Sequence, residues 1–168
     1  LLMFDKLWDY LLQTFDSINP FVIIKEYHKG VLLRFGVFKR VLDKGLHYKY
    51  PFVDEVIEQH IIWTTLTLPS QSLVTADGSD VVVKTVIKYR INDVKAYVLD
   101  VYDSTDAISD VAQGAIKNVI TTKTWEECRD NEIDNIITKK IRQEVKRWGV
   151  EVQQVTLTDL AKIRTIKL

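Results

Sequence analysis

The sequence predicts an α+β fold, with a mainly β first half and an α/β second half, preceded by an amphipathic helix. Three observations predict it. Apolar residues recur every three or four positions ahead of Asn19, they alternate or cluster in short runs from Phe21 to Ile91, and they return to a helical period after Asn92-Asp93. The change of period puts a soft boundary near Asn92, so 1–20, 21–92 and 93–168 are expected to form the helix, the β half and the α/β half. A chain of 168 residues, 46% of them apolar, is long enough for one ordinary core or two small subdomains.

The first helix is expected from Met3 to Ile18, where Phe4, Leu7, Trp8, Leu11, Phe15 and Ile18 draw one stripe and Asp5, Lys6, Asp9, Gln13 and Asp16 fill much of the remainder. Asn19-Pro20 stops it. Short strands follow at Phe21 to Ile24, Val31 to Phe35, Leu46 to Tyr48 and Val56 to Leu68, separated by Gly30, Gly36, Gly45, the Pro51-Phe52-Val53-Asp54 corner and Pro69-Ser70. Asp77-Gly78 marks a hairpin. The longest strand runs from Asp80 to Ile91, with Val81, Val83, Thr85, Ile87, Tyr89 and Ile91 on its buried face. A short helix is expected near Val94 to Val101 and a longer one from Ser104 to Thr121, striped by Ile108, Val111, Ala112, Ala115, Ile116 and Val119. Thr124-Trp125-Glu126-Glu127 has capping-box form. A further helix starts there or at Asn131, repeats Ile133, Ile137, Ile141, Val145 and Trp148, and stops at Gly149. A last strand holds Val150, Val152, Val155 and Leu157, and its alternation slips at Gln153-Gln154 as a bulge requires.

Composition and motifs narrow the chemistry. Basic and acidic residues number 23 each, so no net field draws the chain to nucleic acid. The single cysteine, Cys128, cannot form an internal disulfide; it fits a reducing compartment and reads as a small buried residue. The three histidines, His28, His47 and His60, match no compact zinc-ligand spacing and read as strand-face residues. No phosphate-cradling glycine loop or Gly-x-Ser-x-Gly element occurs. Asp103, Asp106 and Asp110 belong to a helix start, and Asp77-Gly78-Ser79-Asp80 to a turn and not a calcium loop. The expectation is therefore no catalytic, cofactor or metal residues, and no enzyme.

Several phrases, in order, resemble the stomatin/prohibitin/flotillin (SPFH, or band 7) family over roughly Val22 to Ile163. They are Gly30-Val31-Leu32-Leu33-Arg34-Phe35-Gly36, then Gly45-Leu46-His47 through Pro51-Phe52-Val53-Asp54-Glu55-Val56, then Thr75-Ala76-Asp77-Gly78 with Tyr89-Arg90-Ile91-Asn92-Asp93, and finally Trp148-Gly149-Val150-Glu151-Val152. Each has a plain physical role: the glycines permit turns, Pro51 stiffens a corner, and Trp148 is expected to fill a core site. The phrases mark a fold and not a reaction.

The resemblance implies an SPFH-type head in a membrane-associated scaffold that assembles with copies of itself into a ring or cage, organising lipids or membrane proteins. The alternative is an adaptor that binds and regulates a membrane protease or another specific protein. Family members usually continue into a long coiled coil, which would lie beyond Leu168. Nothing within the sequence is apolar for long enough to span a bilayer, so contact is expected to be peripheral; since the chain opens on Leu1 and not on methionine, an upstream membrane segment is a further expectation. Membrane lipids are the expected partners of the Phe4, Leu7, Trp8, Leu11, Phe15 and Ile18 stripe, with the β half resting against the headgroups. The candidate homo-oligomer contact is the charged flank of the last long helix: Glu132, Lys139, Lys140, Arg142 and Arg147.

Overall fold

The computed structural model describes residues 19–130 and 132–162. The Met3 to Ile18 helix, with Phe4, Leu7, Trp8, Leu11, Phe15 and Ile18, lies outside the described residues. The fold is mixed α+β, and its contacts divide the chain into two compact units, one up to Ile61 and one from Ile62 onward.

The first unit is all β among its described residues. It contains β1 (Phe21–Ile24), β2 (His28–Arg34), β3 (Val37–Leu42), β4 (Gly45–Tyr48) and β5 (Asp54–His60). β1 pairs antiparallel with β4, and β2 lies between β3 and β5, antiparallel to both. The pleat sends alternate side chains inward, so Ile24, Leu32 and Leu42 form a small core with Val22 and Val56 packed against it.

The second unit contains β6 (Thr64–Thr67), β7 (Gln71–Val74), β8 (Asp80–Ile91) and β9 (Val150–Lys162), with α1 (Val94–Leu99), α2 (Ser104–Ile120), α3 (Trp125–Cys128) and α4 (Glu132–Val145). β8 is the central strand: β6 and β7 share one edge and β9 runs along the other, all antiparallel. Every second residue of β8, from Val81 to Ile91, is buried, as its alternation predicts. The unit division falls at Ile61 and not at the change of period near Asn92. The reason is that β8, which belongs by pattern to the β half, is the strand on which the helical half is built through β9 and α4.

Local rules hold the second unit in register. Asp93 accepts from the amides of Lys95 and Ala96 to start α1, and Asp103 accepts from Asp106 to start α2. Both bonds of the capping box at Thr124 and Glu127 are present. The expected bulge is found: Lys88 faces Gln154 and Tyr89 faces Val152, which leaves Gln153 as the extra residue. Three α4 side chains four residues apart then bond the outer edge of β9. Asp134 Oδ1 accepts from the Leu157 amide at 3.3 Å, Thr138 Oγ1 accepts from Val155 at 2.9 Å, and Arg142 donates to the carbonyls of Val152 and Gln153, each at 3.0 Å. An edge with its backbone groups so occupied is closed to a pairing strand over that stretch.

One expectation needs correction. Trp148 is half-exposed in a 3₁₀ turn (Lys146–Trp148), with the Arg147 guanidinium 5.2 Å from its ring centre, and does not fill a core site. Gly149 carries the weight of that phrase. Its carbonyl accepts from the amides of Asn92 and Asp93 at 2.8 and 3.0 Å, and it has φ 71°. A Cβ there would lie 2.3 Å from the Asp93 carbonyl oxygen, so only glycine fits.

Candidate functional site

Two of the sequence phrases meet in the first unit. The β2–β3 hairpin closes with the two-residue loop Phe35-Gly36, since Arg34 pairs with Val37. Both loop residues have positive φ, 51° and 74°, the pattern of a type I′ turn, which normally asks for Asn-Gly. The corner Tyr50-Pro51-Phe52-Val53 has a proline at its second position and φ 64° at Phe52, the pattern of a type II turn whose third position favours glycine. Phenylalanine therefore stands at two positions where the backbone favours residues without its bulk. Phe35 and Phe52 are 80% and 82% exposed, so neither gains from packing in the described structure.

An ion pair fixes these turns to each other. Arg34 Nε donates to Asp54 Oδ1 at 2.7 Å, its terminal nitrogen donates to Oδ2 at 3.0 Å, and the Tyr50 amide donates to Oδ2 at 2.9 Å. The Arg34 guanidinium lies 4.4 Å from the Tyr50 ring centre. The Phe35 amide also donates to the Val53 carbonyl at 3.0 Å. The Arg34 bonds, despite opposing burial, hold the Asp54 carboxyl well below the usual carboxylate range, at about 2. Beside this clamp, Phe35 and Phe52 border an open groove of about 680 Å³ that Val22, Lys49, Val56 and Glu58 also line.

The apolar surface continues onto β1 and β4. Phe21 faces Tyr48 across the pair and Ile23 faces Leu46, which puts all four on one face, and all four are exposed. The rings of Phe21 and Tyr48 meet edge-on at 6.0 Å, and those of Tyr48 and Tyr50 at 5.2 Å. A connected run of aromatic rings thus leads from β1 to the clamp.

The residues singled out from sequence fall elsewhere. Glu132, Lys139, Arg142 and Arg147 are exposed along α4 and the turn after it, and Lys140 is half-buried. Arg142 is committed to the β9 carbonyls. Cys128 is buried, and burial pushes its thiol pKa up, the opposite of an activated nucleophile. Asp77 sits in its hairpin turn, bonded to the hydroxyls of Thr75 and Ser79. Sequence reasoning missed Phe35 and Phe52 as exposed residues. The available signal was a large aromatic directly beside a turn glycine or turn proline.

The described residues thus form an α+β head that exposes an apolar loop pair and an aromatic strand face. The sequence profile of the SPFH domain / Band 7 family matches residues 22–162, and the chain belongs to that family. It is 25% identical over 169 residues to an uncharacterised protein of Methanocaldococcus jannaschii, covering 97% of this chain and 85% of that protein. It is 28% identical over 142 residues to mouse stomatin-like protein 3, covering 82% of this chain and 49% of that one. It is 29% identical over 110 residues to the Escherichia coli modulator of FtsH protease HflK, covering 66% of this chain and 26% of that one. The chain thus spans half or less of the length of these last two relatives.

Proposed function

We propose that this chain is the head of a membrane-associated oligomeric scaffold of the stomatin/prohibitin/flotillin type, and that its first unit rests on the bilayer through Phe35 and Phe52. The observation that carries the reading is the pair of exposed phenylalanines at positive φ. Left-handed backbone costs a residue other than glycine roughly 1 to 2 kcal/mol, and backbone strain of this kind collects at working sites. Lipid would supply what the fold does not, since burying one large apolar side chain is worth about 1.5 to 3 kcal/mol. Two rings hold one copy weakly, and linked copies bind far more tightly. The aromatic rings of Tyr48 and Tyr50 suit the headgroup boundary, having an apolar body and a polar tip. No helix among the described residues is long and apolar enough to cross a membrane, which agrees with peripheral contact by this part of the chain.

The Phe4, Leu7, Trp8, Leu11, Phe15 and Ile18 stripe is proposed as a second lipid contact, and the charged flank of α4 and the turn after it, with exposed Glu132, Lys139 and Arg147 and half-buried Lys140, as the contact between copies. In this reading the protein organises lipids or membrane proteins and performs no reaction of its own. The alternative, an adaptor for a membrane protease, draws on the name of the HflK relative.

The test is liposome flotation of the double variant Phe35→Asn, Phe52→Gly beside its thermal melt. Asn-Gly and Pro-Gly are the pairs these turns favour, so the variant should melt no lower than the parent while losing flotation. A parallel variant, Trp8→Asp with Phe15→Asp, reports the share of the first helix. Flotation unchanged in the Phe35, Phe52 variant would sink the lipid role of the loops.

A further inference from the structure

β1 and β4 form a two-stranded sheet whose faces differ. Ile24 belongs to the small core of the first unit and Val22 packs against it, which leaves Phe21, Ile23, Leu46 and Tyr48 on the other face. These four are 50 to 69% exposed, so the outer face is apolar and bare among the described residues. A two-stranded sheet is marginal in water and gains independent stability from a helix packed against it. The chain immediately before β1 has the pattern of such a helix. Met3 to Ile18 carries the apolar stripe, and only Asn19 and Pro20 separate its end from Phe21. That junction is fixed on the β side: the Pro20 carbonyl accepts from the Lys49 amide at 2.8 Å, and Asn19 Oδ1 accepts from the Phe21 amide at 2.9 Å. The second bond closes an Asx turn, which bends the chain where it enters β1. The dimensions also match, because the ten steps from Trp8 to Ile18 rise about 15 Å along a helix and four-residue strands span about 13 Å.

We propose that, away from lipid, the helix of residues 3–18 folds back over β1 and β4 and packs Leu11, Phe15 and Ile18 on the Phe21, Ile23, Leu46 and Tyr48 face. The occupant is this segment of the same chain and not a second copy, because a two-residue tether holds it beside the face at an effective concentration that separate molecules do not reach. The covering stands without any lipid. The stripe cannot meet this sheet and a bilayer at once, so its lipid contact, which rests on the membrane reading, requires the helix to leave the face.

The experiment is a double-mutant cycle on the full chain, melted in dilute solution without lipid. Ile23→Thr with Leu46→Thr keeps strand-forming residues while removing the apolar surface, and Leu11→Gln with Phe15→Gln keeps helix formers. Each pair should lower the melting midpoint by roughly 5 to 10 °C. All four changes together should lower it little further than one pair does, because both pairs remove the same contact. As a second reading, Leu46→Cys should react with a maleimide at least tenfold faster when Leu11→Gln and Phe15→Gln are also present, with buried Cys128 as the slow reference thiol. A bare face predicts that Ile23→Thr with Leu46→Thr changes nothing, and that result would overturn the proposal. So would shifts that add in full, equal labelling rates in the two backgrounds, or a loss seen only at high protein concentration, which would make a second copy the occupant. Because no lipid is present, failure here leaves the Phe35 and Phe52 reading untouched, and failure of flotation leaves this one.

Discussion

Replacing Asp54 by asparagine tests whether the clamp holds the two aromatic turns. The side chain is fully covered, and its two oxygens accept from Arg34 twice and from the Tyr50 amide once. Asparagine keeps the shape, removes the charge, and turns an amide NH₂ toward the guanidinium. Hydrogen bonds to charged groups contribute about 1.5 to 3 kcal/mol each. Arg34 is 36% exposed, so water recovers part of that loss, and a net cost of about 2 kcal/mol is expected. For a chain of 168 residues that corresponds to a melting midpoint lower by roughly 4 to 8 °C. The pH dependence provides a second check. The folded pKa of Asp54 is about 2, below the ordinary aspartate value of 3.8. A depressed carboxyl stabilises fully above its unfolded value and loses that contribution as pH falls through its folded value. The gap between parent and variant should therefore be constant from neutral pH down to mild acid and close between about pH 4 and 2. Liposome flotation should also weaken in the variant, although both phenylalanines remain. Equal melting midpoints at neutral pH would refute the clamp, and a gap that survives undiminished at the acid end would refute the part assigned to the Asp54 charge.

Two further outcomes follow from packing. Ile87→Asp should unfold the second unit, because Ile87 has no exposed surface and sits opposite both Leu66 and Val155; an unpaired buried charge costs about 3 to 5 kcal/mol, and a normal melting curve would refute the central place of β8. Gly149→Ala should destabilise far more than Gly78→Ala, since both have positive φ but only Gly149 would drive a Cβ into the Asp93 carbonyl; paired denaturant titrations giving equal midpoints would contradict that contact.

The second unit was legible because its signals are local. The β8 alternation, the helix start at Asp103, the capping box at Thr124 and the slip at Gln153-Gln154 each depend on residues within a turn or two of one another, and each is found where the sequence puts it. Trp148 misled because size is a poor guide to burial at a helix end, where the following glycine and not the aromatic makes the close contact. The first unit was legible as strands but not as a surface. His28 and His60 read as unrelated strand-face residues, since nothing local reveals that a β2–β5 register sets them opposite each other.

Phe35 and Phe52 were harder still, for a reason that bears on function. Each lies at a turn that its glycine or proline marks correctly, but the pattern reads Phe35 as the last residue of the Val31 to Phe35 strand and Phe52 only as part of a corner, and neither reading exposes a ring. The backbone decides otherwise. A two-residue loop between Arg34 and Val37 requires left-handed φ at Phe35, and a proline at 51 followed by left-handed φ at 52 turns the chain at Phe52. Sequence and turn geometry disagree at these two positions, and such disagreement is expected where a residue is retained for what it touches outside its own fold. The ion pair that locks both turns is built from the residue preceding Phe35 and from Asp54, two residues beyond Phe52. The two phrases that identify the family at the sequence level thus contain both the exposed rings and the device that holds them, which is why the apolar pair, and not a concave pocket, is the part of the first unit to mutate first.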